Sequence, residues 1–174
     1  MADSFSIRVD GQDEIETTLA GLIGKVDDMA PLMDMIGMVL EVDAQDNFIG
    51  EHSPAGVPWP KSQRAKDSGG KTLQDSRRLF LSLTHRSGPT FAEVGTNVVY
   101  ARRHNQGWSG TEQVASHKRV MREVFGVKLA EPIIATVKAH SRKANTPKRE
   151  FIGLSAGGRE EIAGVTADYL GVDQ

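Results

Sequence analysis

Five histidines, together with scattered serines, acids and lysines, are the raw material for chemistry here, because the 174-residue chain has no cysteine. His104 stands in the polar run Arg102-Arg103-His104-Asn105-Gln106. A lone imidazole in such a turn reads as a surface or capping group. His117 and His140 lie on segments that can approach each other, but two histidines without a spaced third ligand do not make a zinc site. Ser68-Gly69-Gly70-Lys71-Thr72 is phosphate-loop-like. Ala65 stands where the leading glycine belongs, and no apolar strand precedes it, so a phosphate cradle is rejected. Asp75, Ser82 and His85 fall too close together on one predicted helix to form a triad. The serine elbow, the HExxH zinc motif and the dinucleotide fingerprint are absent. The expectation is no catalytic group, no metal and no cofactor.

Charge carries the stronger signal. Residues 1–47 hold two basic and eleven acidic side chains, whereas 48–111 and 112–150 each hold nine basic and four acidic. Residues 151–174 return to acidic, with one basic and four acidic. A net charge of -2 therefore hides acidic ends and a basic middle. Such segregation suits contact with a polyanion or pairing between copies of one chain, against the plainer reading of neutralisation within a monomer. His117, Lys118, Arg119 and Arg122 on one basic limb are expected to face Lys138, His140 and Arg142 on another. Like charges opposed at that density are costly unless something acidic meets them. With Trp59, Arg102, Arg103, His104, Trp108, Lys143 and Arg149, these residues form the expected subunit and partner interface.

These side chains need elements to hold them. Residues 4–10 alternate apolar and polar and read as a half-buried strand. Ile15, Leu19, Leu22, Val26, Met29, Met33, Ile36 and Leu40 recur every three or four residues, an amphipathic helical stripe. Pro31 is expected to kink or break it near 28–31, giving helices at about 12–28 and 31–46. Three prolines and several glycines make 48–70 an extended connector, with Trp59 either at the core edge or anchoring a subunit contact. A short helix is expected over 76–85, capped by Asp75 or Ser76. Residues 90–94 read as a strand, with Gly95 and Asn97 best placed to take positive φ, and then a helical turn over 98–106 stopped by Gly107. Segments 113–118, 120–127 and 132–140 are β-branched and basic, a long hairpin or pair of arms. Ser155 caps a closing helix at 156–170, which Gly171 ends.

The fold class that results is α+β. An antiparallel sheet is covered by a long kinked N-terminal helix and a C-terminal helix, with a projecting basic β-hairpin arm at about 108–146 of a single domain spanning 1–174. No run approaches 18 apolar residues, so no membrane span is expected, and the first residues lack the marks of a signal peptide. The simplest setting is a cytoplasm.

Several blocks in fixed order carry a resemblance. An acidic helix leads into Pro31-Leu32-Met33 and Ile36-Gly37. Phe48, Pro54-x-Gly56 and Trp59 follow, then Leu73-x-Asp75-Ser76-x-x-Leu79 and Ser82-Leu83. Val94-Gly95-Thr96-Asn97, Tyr100-Ala101 and His104-x-x-Gly107 come next. Pro147-x-Arg149-x-Phe151-x-Gly153-Leu154-Ser155 leads into the last helix. In this order they resemble the phage virion morphogenesis family, the tail-completion proteins of Mu-like and related tailed phages. Lys148 and Glu150 depart from the pattern, and the 108–146 limbs are long and basic.

The resemblance implies a structural protein of the phage neck, a tail-completion or head–tail joining subunit in a homo-oligomeric ring around the DNA channel, a hexamer or a dodecamer. Implied partners are neck or connector proteins and tail terminator or tail tube proteins, with non-specific contact to DNA in the channel and none to a membrane. Assembly would take place in the host cytoplasm. The alternative from the residues themselves is a nucleic-acid-binding module using the basic middle, although few aromatic side chains stand among those cations to stack on bases.

Overall fold

The computed structural model describes residues 12–124 and 127–171. The expected strand at 4–10 lies outside them. The chain forms two compact units, Met1–Ala101 with Glu150–Gln174, and Arg102–Arg149. The class is α+β, with antiparallel sheets and helices towards both ends.

In the first unit, α1 (Gln12–Asp27) and α2 (Ala30–Gly50) divide the N-terminal stripe. The break falls at Asp28 and Met29, and Pro31 sits in the first turn of α2, where its missing N–H costs nothing. Asp28 accepts the Ala30 N–H at the join. The Tyr169 hydroxyl reaches the Lys25 and Asp28 carbonyls from α5 (Ala156–Leu170) and holds the end of α1 there. Helix α5 is delimited as the sequence predicts. Ser155 Oγ accepts the Gly158 N–H, and Gly171 closes the last turn at φ 73°. Asp43 of α2 takes the Ser155 N–H at 2.8 Å and its hydroxyl at 2.5 Å. A carboxylate thus stands at the positive end of α5 and ties it to α2.

The stripe itself differs from the reading. Leu19 and Val26 of α1 are more than half exposed. On α2 the buried positions are Leu32, Gly37, Val39, Ala44, Asn47 and Phe48. Helix α2 meets β1 (Leu83–Gly88), β2 (Phe91–Thr96) and α5, and its buried positions spread wider than a single stripe.

Phe48 is the centre of the core. Its ring is fully buried, tilted against Phe151 at 4.8 Å and edge-on to Trp59 at 5.4 Å and Phe80 at 5.9 Å. Ala44, Leu79, Leu83, Val98 and Ala101 close around it. The connector after α2 is not extended throughout, because Ser62 caps a short helix within it, α3 (Gln63–Ser68). Glu51 caps α2 in the left-handed region, and its carboxylate accepts the Thr72 N–H at 2.6 Å. Burial pushes the Glu51 pKa up, but the Thr72 hydrogen bonds with Lys61 and Lys71 outweigh it and hold the group below the ordinary carboxylate value.

The helix expected over 76–85 does not form. A single 3₁₀ turn, Phe80–Ser82, leads into β1. Leu73 and Arg77 take positive φ, and Ser76 Oγ accepts the Arg78 N–H in a local turn. Leu79 and Leu83 are both buried, and β1 gains a full antiparallel ladder with β2, from Leu83↔Thr96 to Gly88↔Phe91. That pairing outweighs a weak helical preference. Gly95 and Asn97 do not take positive φ. Thr96 Oγ1 instead accepts the Val98 N–H and makes the turn.

The second unit begins within α4 (Ala101–Gln106). Gly107 ends that helix at φ 76°, with its α-carbon against the Lys148 backbone, so close that a Cβ would lie 3.0 Å from the Lys148 nitrogen. Next come β3 (Trp108–Val114), β4 (His117–Val124), β5 (Val127–Val137) and β6 (His140–Thr146). β3 pairs with β6 and β4 with β5, both antiparallel, in two nested two-stranded ladders. Among the described residues of 102–148 none is buried.

Candidate interaction surface

A two-stranded ribbon without a core is held by its backbone ladder and its cross-strand pairs. The pair Glu112↔Arg142 organises the β3–β6 ladder. Glu112 Oε2 accepts from Arg142 Nε at 3.1 Å and Nη2 at 3.0 Å. Its other oxygen accepts from Arg103 of α4, whose Nε also donates to Thr146 Oγ1 at 2.7 Å. The Arg103 guanidinium lies 4.3 Å from the Trp108 ring centre, a cation–π contact. The Trp108 indole covers Gly110, where a Cβ would stand 2.7 Å from the ring. Trp108, Gly110 and Glu112 alternate onto one face of β3, so the absent side chain at Gly110 lets the ring lie flat. Hydrogen bonds from Arg103 and then Arg142 hold the Glu112 carboxyl below its usual pKa, against burial.

His104 and Arg149 meet at the base of the ribbon, where the Arg149 N–H donates to the His104 carbonyl at 2.8 Å. Arg149 is 5 % exposed, and burial lowers its pKa. Burial, then the charges of Arg149 and Arg103, lowers the His104 pKa as well. Arg102 is exposed and bonds along its own helix to Gln106 at 3.1 Å.

The distal ladder overturns one expectation. The register sets His117 opposite Val137, Lys118 opposite Thr136 and Arg119 opposite Ala135. On the other limb His140 faces Val114, Arg142 faces Glu112 and Lys143 faces Thr111. No cation of these ladders opposes His140 or Arg142, and Lys138 lies between β5 and β6 outside both ladders, so the direct opposition read from the sequence does not arise. Arg122 sits at an irregularity between the pairs Met121↔Ile133 and Glu123↔Lys128, where one residue of β4 spans four of β5, including Pro132. A proline without an N–H fits a break in a ladder. His117 and His140 do not pair with each other. Each ring's Nδ1 turns back on its own chain, to the Ala115 carbonyl at 3.0 Å and the Lys138 carbonyl at 2.9 Å.

Lys118, Arg119, Arg122, Lys138, His140, Arg142 and Lys143 are all exposed, and Trp108 is about one third exposed. Trp59 is not at the surface. It is 6 % exposed in the core of the first unit, and its indole N–H donates to the Glu150 carbonyl at 3.0 Å. Of its two readings the structure selects the core. Two features escaped the sequence reading. Glu112 is the hub of the ribbon's base, and its only sequence signal was an acid next to a basic run. The other is apolar exposure: Val120, Val127, Ile133 and Ile134 are 48–69 % exposed on the distal ladder.

Among the described residues no cluster of histidines and acids could hold a metal ion, and no helix is long and apolar enough to cross a membrane. The profile of the phage virion morphogenesis family matches residues 10–171. No curated protein and no solved structure matches the chain.

Proposed function

We propose that this chain, which belongs to the phage virion morphogenesis family, is a neck subunit that completes the tail and joins it to the head, working as one copy in a ring around the DNA channel. Membership itself assigns a structural role in building the phage particle. The observation that carries the finer reading is the ribbon of the second unit. It has no buried residue from 102 to 148 among those described, yet it displays cations and large apolar side chains together. The exposed apolar area costs free energy in water that docking would recover. Neck, connector or tail terminator proteins are the expected partners, with neighbouring copies.

The test is to replace residues 115–139 by Asn-Gly, because Val114 and His140 are already paired and a two-residue turn can close them. The shortened chain should fold, yet leave heads and tails separate in a phage lacking its own copy. Full recovery of infectious particles overturns the proposal.

A nucleic-acid reading draws on Lys118 and Arg119, which have no acid opposite them in the ladder. Titration with duplex DNA at two salt concentrations separates the readings. Tight binding that collapses with salt favours the nucleic-acid module. Absence of binding favours the joining subunit.

A further inference from the structure

Helix α1 presents Leu19, Ile23 and Val26 at 52 %, 61 % and 59 % exposure. Their spacing of four and three places them on one stripe. The same helix is acidic, with Asp13, Glu14, Glu16 and Asp27 against Lys25. Asp27 lies one turn beyond Ile23 and Glu16 two turns before it, so both border the same edge of the stripe, and both are exposed. An apolar stripe edged by carboxylates calls for an apolar partner edged by cations.

The distal ladder supplies that complement. Val120 and Ile134 oppose each other and are 56 % and 69 % exposed. Lys118 and Thr136, the next pair on the same face, add a cation beside them. Over 117–137 the ribbon carries Lys118, Arg119, Arg122 and Lys128 against Glu123 and Glu131.

We propose that the Lys118–Val120–Ile134 face of β4 and β5 in one copy docks on the Leu19–Ile23–Val26 stripe of α1 in a second copy, with Lys118 against Asp27. This rests on the reading of the chain as a self-associating subunit. Each copy carries both halves of the contact, on different surfaces. Made once between two copies the contact is head-to-tail and closes into a ring or runs on as a filament according to its rotation, and made reciprocally it closes a two-fold dimer.

With no native cysteine, any disulfide must join introduced positions. Full-length Ile23→Cys and a size-tagged Ile134→Cys are co-expressed, and the purified assembly is oxidised. The expected product is a mixed disulfide containing one chain of each kind. Asp27→Lys on the first chain, or Lys118→Glu on the second, should lower its yield roughly two- to fivefold. Both changes together should restore it.

Dominance of the 134–134 disulfide, with ribbons meeting each other, overturns the docking. So does failure of the double exchange to restore the yield. A particle of oligomeric mass without the mixed disulfide removes this contact and leaves the ring standing. A monomer at every concentration removes both.

Discussion

Glu112 and Arg142 face each other across the β3–β6 ladder, and one carboxylate oxygen takes two guanidinium hydrogen bonds, at 3.1 and 3.0 Å. The second oxygen takes Arg103, so a single acid fixes both the ribbon and its attachment to α4. Because the Glu112 pKa is lowered on folding, its contribution is present above the unfolded value near 4.5 and is lost as pH falls through the folded one. Glu112→Gln should raise amide exchange in β3 and β6 at neutral pH and abolish the further acid-induced loosening of those strands. Unchanged exchange would show that the backbone ladder suffices alone.

The sign is the same for His104, for a different reason. Its pKa is lowered, so the folded chain resists protonation there. Stability should be unaffected above the unfolded value of 6.5 and should fall as pH drops from 6.5 towards the folded value. Thermal melts between pH 5 and 8 measure the slope, and His104→Gln should flatten it. A slope that survives the substitution assigns the effect to another group.

Phe48→Ala should cost about 3–5 kcal/mol, the range for a fully buried aromatic ring. Trp59→Phe keeps most of the packing but loses the donor to the Glu150 carbonyl, at a cost of about 0.5–1.5 kcal/mol. Urea denaturation followed by circular dichroism reads both. A larger loss for Trp59→Phe than for Phe48→Ala would displace Phe48 from the centre of the core.

Two helical glycines should respond in opposite ways to alanine. At Gly37 a Cβ would lie 2.6 Å from His85 Cδ2. That ring is held on α2 by Glu41, 2.8 Å from Nδ1. Gly37→Ala should destabilise by about 1–3 kcal/mol through overpacking. At Gly164 a Cβ would meet nothing within 4 Å beyond its own stretch of helix, and Gly164→Ala should stabilise α5 by about 0.5–1 kcal/mol. Equal shifts in the two melting temperatures would refute the steric distinction.

Gly110→Ala should lift the Trp108 ring from the strand and break its stack with Arg103. The expected readout is a red shift and greater quenching of Trp108 emission in a Trp59→Phe background. Unaltered emission would mean that the ring does not rest on Gly110.

What the sequence determined was local or compositional. Ser155 and Gly171 delimit α5 because a cap is written in the residues that bond to it, three or four positions away. Pro31 marked the division of the N-terminal stripe, since a proline is accommodated in the first turn of a helix and not in its interior. The ordered blocks from Pro31 to Ser155 identified the family, because their spacing is a property of the chain itself. What only the tertiary structure decided was partnership. Whether Leu83 to His85 became helix or strand depended on the pairing with β2. Whether Trp59 was core or surface depended on Phe48 and on a carbonyl 91 residues away. Whether the cations of β4 met other cations depended on register, where a shift of one residue exchanges every neighbour and every face. Contacts between distant residues carry no period or cap in the sequence, so they become readable only once the chain has closed on itself.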